Sequence, residues 1–236
     1  MKKDQQKLLI FGGSGAIGQA ITEKFKINGW LVYVVTRKPP PAQEKTWIVW
    51  DVLNADHVPS TLSHSGPFDA VVWAQGDNLN DSIYSFNRLD HEKIYAANVT
   101  FILESLHTLL DGGLLTKPAH LCILSSIWQE VSRQCKLSYS VSKSALHGLV
   151  LALANDMAVD GHLVNAVLPG AIDTPMTRQN LSPEQINKIA ESTHFKKLPQ
   201  LGDVTNAVYF LCSKENTGVT GQFMKVDLGF SDVRNF

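Results

Sequence analysis

The sequence predicts an α/β fold in which one parallel sheet of about seven strands carries helices on both faces. Short apolar runs alternate with segments of helical spacing along the whole chain. The runs are continuously apolar rather than alternating, as in strands buried on both faces. Glycine and proline punctuation separates the two kinds of segment.

The elements follow in order. KLLIFG (7–12) reads as a short buried strand, and GAIGQAITEKFKING (15–29) as a helix with a glycine stop. WLVYVVTR (30–37) is a second strand, PPPAQE (39–44) a turn, TWIVWDV (46–52) a third strand and DAVVWAQG (69–76) a fourth. A long helical segment runs from Asp90 to Leu110 and ends at DGG. AHLCILSS (119–126) is a fifth strand. A long helix follows over 138–161, with Ser138 as its N-cap and Gly161 as its stop. HLVNAVLPG (162–170) is a sixth strand, SPEQINKIAEST and LGDVTNAVYFLCS are helical, and QFMKVDL is the last strand. Crossovers between parallel strands are right-handed, which makes this a Rossmann-type doubly wound sheet. No linker, repeat or low-complexity segment interrupts residues 1–236, so a single domain is expected.

Composition narrows the function. The chain has 236 residues, 44% of them hydrophobic and 18% charged, enough for one large core. A net charge of -1 and the lack of any basic run argue against nucleic-acid or membrane-surface binding. No apolar run approaches the roughly 18 residues of a membrane span, and LLIF is too short for a secretory signal. Cys122, Cys135 and Cys212 are odd in number and widely spaced, in no metal or redox motif. The expectation is a reduced, cytoplasmic protein without a metal.

Sites of such sheets lie at the carboxyl ends of the strands. FGGSGAIG follows the first strand and opens the first helix, so Gly12, Ser14, Gly15, Ala16, Ile17 and Gly18 are candidates to hold a dinucleotide. Glycines let a diphosphate approach the backbone, and a helix N-terminus offers free N–H groups and a partial positive charge. The acid expected about 20 positions on, for a ribose hydroxyl, is missing. Thr36, Arg37 and Lys38 stand there instead. A cation such as Arg37 suits a 2′-phosphate, which points to NADP(H), with NAD(H) as the alternative. In LSYSVSKSAL (137–146), Tyr139 and Lys143 lie four residues apart, on one helix face. Ser126 ends the fifth strand 13 residues earlier, and Asn98 lies in the preceding helix.

These ordered motifs resemble the short-chain dehydrogenase/reductase family in its compact subtype. The resemblance extends over nearly the whole chain, through WDV, LPGAIDTPM and VTGQFMKVDLG. It implies that Tyr139 is the acid-base residue of a reaction between a carbonyl and an alcohol. A free phenol has a pKa of about 10, too high for efficient proton transfer near neutrality. Lys143 and an oxidised nicotinamide would favour the phenolate. Lys143 would also reach the nicotinamide ribose, Ser126 would hold the substrate oxygen, and Asn98 would hold a water leading to solvent. The resemblance further implies that Asp51 and Val52 meet the adenine. Gly76 matches the last residue of the family's N-N-A-G segment. Pro169, Gly170, Ile172 and Thr174 would touch the nicotinamide and its carboxamide. Residues 176–198 would form a substrate lid. A homodimer or homotetramer would pair the helices holding Asn98 and Tyr139.

The substrate would be a small carbonyl or alcohol: a 3-oxoacyl thioester, a sugar or another small polar ketone. Two other readings stand beside this one. The G-x-x-G-x-x-G spacing suggests a sugar-nucleotide epimerase or dehydratase, against which the end at Phe236, just after the last strand, speaks. A non-catalytic dinucleotide-binding regulatory protein is the other, against which the intact tetrad speaks. Three departures from the family pattern stand out: Phe11 in place of threonine, Ala16 in place of the middle glycine, and Trp73, Ala74 and Gln75 in place of N-N-A. Trp47, Trp50 and Trp73 read as core or sheet-end packing, and His147 as a helix-surface or interface residue.

Overall fold

The computed structural model describes residues 5–39, 45–55 and 57–233, apart from the side chains of Met176 and Asn180. The turn expected at 39–44 lies outside these residues beyond Pro39. Strands β1 (Lys7–Phe11), β2 (Leu31–Thr36), β3 (Trp47–Val49), β4 (Phe68–Trp73), β5 (Leu115–Leu124), β6 (Leu163–Pro169) and β7 (Phe223–Val226) form one seven-stranded sheet in the order β3-β2-β1-β4-β5-β6-β7. Every pairing is parallel. The order reverses between β1 and β4, and that switch point opens a crevice at the carboxyl ends of the strands. The Rossmann-type expectation therefore holds.

Alternation along β1 shows how the sheet is covered. Leu8 and Ile10 join a core with Ile21 and Phe25 of α1 (Ala16–Ile27) and Val204, Val208 and Leu211 of α8 (Leu201–Cys212). Leu9 and Phe11 face the other way, into a core with Ile102 and Leu106 of α4 (Phe101–Asp111) and Leu146 and Val150 of α5 (Leu137–Asp156). Successive strand side chains point to opposite faces, so each buried strand must be apolar throughout.

Two of the departures turn out to be one packing unit. Phe11 and Trp73 stack with ring centroids 5.9 Å apart and planes 6° from parallel. Phe101 meets Phe11 edge-on at 5.5 Å. The buried Trp73 indole donates to Ser105 Oγ at 2.8 Å, which satisfies its only polar atom. An aromatic pair replaces two polar residues and fills the same strand ends with apolar surface. Trp50 is also buried, and His147 is exposed on α5, stacked on Phe223.

Several boundaries differ from expectation. A short helix, α2 (Ser60–Ser65), precedes β4, where TLSHSG carries no helical period and only Leu62 is buried. β5 begins at Leu115, not Ala119, with a register shift opposite Phe68 and Ala70. The expected helix from Asp90 to Leu110 is α3 (Arg88–Tyr95), a π-turn (Ala96–Thr100) and α4 in succession. Ser138 is not the N-cap of α5. Lys136 holds that position, and Ser138 lies inside the first turn, where its N–H (3.0 Å) and its hydroxyl both donate to Asp81. A carboxylate 57 residues away in sequence thus caps the helix, which no local pattern reveals. The helix ends at Asp156, and a 3₁₀ turn leads to Gly161 at φ 76°. Residues of the expected lid form α6 (Pro175–Asn180) and α7 (Pro183–Glu191), the second opened by a reciprocal Ser182–Gln185 capping box. No helix among the described residues is long and apolar enough to cross a membrane.

Candidate active site

The glycine loop is a cradle that side chains would fill. Gly12 has φ 74°, and a Cβ there would lie 2.5 Å from the Gln75 nitrogen. A Cβ on Gly18 would lie 2.2 Å from the Gly12 carbonyl oxygen. Both positions therefore demand glycine. Gly15 is the N-cap of α1 and supplies no side-chain cap; Ala16 and Ile17 form the first turn, and Ser14 is exposed. Free N–H groups at this helix start face the switch point. Both polar atoms of the Gln75 amide are buried without a partner among the described residues. Such an amide costs about 1–3 kcal/mol unless something bonds it. An uncapped helix start, a glycine cradle and an unpartnered amide fit a dinucleotide. Arg37 is exposed at the end of β2. After β3, Val52 is buried, and both Asp51 oxygens accept from Asn54 Nδ2 at 3.2 Å.

The first turns of α5 bring Tyr139 and Lys143 to the ends of β4 and β5. Lys143 is buried, donates to the Leu124 carbonyl at 3.2 Å, and sits 5.8 Å from the centroid of the Tyr139 ring. Burial pulls its ammonium down to about 8. Burial pushes the Tyr139 phenol up, and a hydrogen bond with Ser126 opposes that rise. Ser126 lies two residues beyond β5 and caps the 3₁₀ turn Ile127–Gln129, its Oγ accepting from Trp128 N at 3.3 Å.

Asn98 lies in the π-turn, a distortion that re-aims side chains within a helix. Its Oδ1 accepts from Asp77 N at 2.8 Å, and its Nδ2 donates to Asp77 O at 3.1 Å and Ser142 Oγ at 2.9 Å. A Cβ on Gly76 would stand 3.0 Å from Asn98 Oδ1 and 3.6 Å from Lys143 Nζ. The glycine thus lets the loop after β4 pass between them. On the far side, Pro169 ends β6, and a Cβ on Gly170 would lie 2.8 Å from the Asp227 Cβ. Ile172 is buried. Thr174 Oγ1 accepts from Thr177 N at 3.3 Å and so caps α6.

The site also holds residues that the sequence reading passed over. Lys136 is buried with its Nζ 5.4 Å from the Tyr139 ring centroid, donating to Asn78 Oδ1 at 2.6 Å and Leu79 O at 3.3 Å. Burial, and secondly the charge of Arg133, pull it down to about 8. Its spacing of three residues from Tyr139 placed it within one turn of the site. Gln75 stood in plain view as a departure beside Gly76.

A dinucleotide cradle next to a phenol with a buried ammonium defines an NAD(P)-dependent oxidoreductase. The family model described as enoyl-(acyl carrier protein) reductase matches residues 13–231. The chain belongs to the short-chain dehydrogenase/reductase family. It is 30% identical to an uncharacterized oxidoreductase, YmfI, of Bacillus subtilis, over 94% of this chain and 97% of that protein. The ligand-free aldohexose dehydrogenase of Thermoplasma acidophilum shares the fold with a TM-score of 0.88 at 24% identity, over 98% of this chain and 96% of that one. ElxO with NADP bound does so with a TM-score of 0.78 at 22% identity, over 96% of this chain and 98% of that one.

Proposed function

We propose that this protein interconverts a ketone and a secondary alcohol, with Tyr139 moving the proton. The carrying observation is that the Tyr139 ring lies beside the buried ammonium of Lys143, which is 5.8 Å from the ring centroid. A reduced nicotinamide supplies hydride to the carbonyl carbon when bound. The Tyr139 hydroxyl gives its proton to the carbonyl oxygen, so C=O becomes CH–OH, and the reverse reaction returns that proton to the phenolate. Lys143 stabilises the phenolate through charge at short range in a poorly solvated site. Ser126 holds the substrate oxygen by a hydrogen bond. Asn98 pins the Asp77 backbone, keeping Gly76 against Lys143, and holds the water through which Lys143 reaches solvent.

Gly12, Ser14, Gly15, Ala16, Ile17 and Gly18 hold the diphosphate, Asp51 and Val52 the adenine end. Gly76, Pro169, Gly170, Ile172 and Thr174 line the nicotinamide side. Arg37, exposed where a 2′-phosphate would arrive, makes NADP(H) the cofactor in preference to NAD(H). Residues 176–198 serve as a lid, and α7, which buries no residue of its own, suits a movable cover. The chain acts as one domain, in a cytoplasmic homodimer or homotetramer.

The test is oxidation of NADPH and of NADH by the purified protein over ketones, oxoacyl thioesters and keto sugars. Tyr139→Phe should lose about 10²- to 10⁴-fold in kcat while still binding NADPH. Arg37→Ala should lower the NADPH-to-NADH ratio of kcat/KM. Undiminished turnover in Tyr139→Phe would overturn the proton role, and no turnover of any carbonyl by wild type would overturn the ketone reading.

A further inference from the structure

Lys143 and Lys136 flank the Tyr139 ring, and the charge of Arg133 reaches Lys136. Lys143 donates to a backbone carbonyl, and Lys136 to a side-chain amide and a second carbonyl. Arg133 lays its guanidinium over the Trp128 ring, 5.9 Å from the centroid, and its buried Nε has no partner among the described residues. None of the three takes part in an ion pair among the described residues. Asp81 is the acid whose charge Lys136 feels, but both its oxygens accept from Ser138 at the start of α5. Lys136 and Arg133 repel one another.

Lys136 and Lys143 are buried and Arg133 is half-buried with its Nε enclosed, and a charge held from water is costly unless a partner completes it. The placement says which anion. Ser126 and Tyr139 stand at the two ends of the loop that carries Trp128, Arg133 and Lys136. Lys136 ties that loop to Asn78 and Leu79, just beyond Gly76. A molecule presenting its carbonyl to Tyr139 and Ser126 therefore lies beside this loop. A guanidinium fork matches a carboxylate or phosphate in a bidentate manner, and an ammonium adds a point charge.

We propose that the substrate is an anionic carbonyl compound, an oxo acid or a phosphorylated ketone. Arg133 and Lys136 bind its acid group while its carbonyl meets Tyr139 and Ser126. The carbonyl half of this rests on the oxidoreductase reading; the anion half rests on the unpaired cations alone.

The experiment is titration calorimetry on the NADP⁺-loaded protein with matched pairs. The pairs are levulinate and its methyl ester, 2-oxoglutarate and its dimethyl ester, and dihydroxyacetone phosphate and dihydroxyacetone. At least one acid should bind about tenfold or more tightly than its neutral partner, a difference of about 1.4 kcal/mol. Preference in the first two pairs identifies a carboxylate site, and in the third a phosphate site. Arg133→Gln is the cleaner variant, because Arg133 makes no hydrogen bond among the described residues that the fold would lose. It should bring the preference close to unity, and Arg133→Lys should restore part of it. Lys136→Gln should also reduce it, and NADPH affinity measured alongside detects misfolding. Equal binding within every pair, no binding by any acid, or an unchanged preference in Arg133→Gln overturns the proposal. Acid binding without NADPH oxidation would instead sink the oxidoreductase reading and leave the anion site standing. Turnover of the neutral ketones without acid preference would do the reverse.

Discussion

Burial sets the chemistry of Lys143. Its folded-state value of about 8 lies below the ordinary 10.5. Between those values the unfolded chain binds the extra proton, so stability rises with pH from about 8 to 10.5 and is lost again as pH falls. At neutrality the buried ammonium is therefore a liability to the fold, in keeping with the role proposed for it beside Tyr139. Lys143→Met, which keeps the stem and removes the charge, should raise Tm by a few degrees and abolish ketone reduction. A scan of Tm against pH should also show a smaller rise above pH 8 in the variant. A lower Tm would mean that the bond to Leu124 O outweighs the desolvated charge. At this scale the sequence showed the Tyr139–Lys143 pair through its spacing, and Ser126 and Asn98 through the family resemblance of the ordered set. Lys136 and Arg133 stayed hidden because a polar loop does not reveal which of its side chains turn inward. Gln75 was visible only as an oddity; its unpartnered burial is a property of the packed loop.

At the level of elements, the aromatic stack at the ends of β1 and β4 depends on one hydrogen bond. Ser105 Oγ accepts from the Trp73 indole and donates back to the Phe101 carbonyl at 2.7 Å. Ser105→Ala leaves the buried N–H of Trp73 unmatched, a loss of about 1–3 kcal/mol. For a chain of this size each kcal/mol lowers Tm by about 2–4 °C, and calorimetry should show that fall. An unchanged Tm would mean that the indole finds another acceptor. Ser105→Thr, which keeps the hydroxyl, should fall less. The strands were legible because most are apolar on both faces, and the start of β5, where Thr116 and Lys117 break the run, was not. The capping of α5 by Asp81 and the π-turn at Asn98 were not, since both depend on contacts made across the fold.

The whole molecule carries a pH response of its own, away from the active site. His162 is buried where β6 begins, its Nδ1 accepting from Ala119 N at 2.9 Å. Its Nε2 is without a partner among the described residues. Burial holds the ring below its ordinary 6.5, against a weaker upward pull from Asp160. As pH falls below about 6.5 the unfolded chain takes up a proton that the folded one resists, so His162 makes stability decline toward acid. His162→Asn keeps an acceptor for Ala119 and does not titrate. Its urea midpoint should fall less between pH 7 and pH 5 than that of wild type, and an equal fall would place the acid sensitivity elsewhere.

The sequence by itself determined the succession of the seven strands and the longer helices, the doubly wound class, the glycine loop and the tyrosine–lysine pair. Each is written in local periodicity or short spacing, which a helix or a strand converts directly into a shared face. Only the tertiary structure decided that Phe11 and Trp73 stack on one another, that Asp81 caps α5, and that Lys136 stands beside Tyr139 with Arg133 near it, neither in an ion pair among the described residues. Those facts depend on which distant residues meet and how much water they exclude. Burial and charge balance belong to the packed chain, and local pattern carries no record of them.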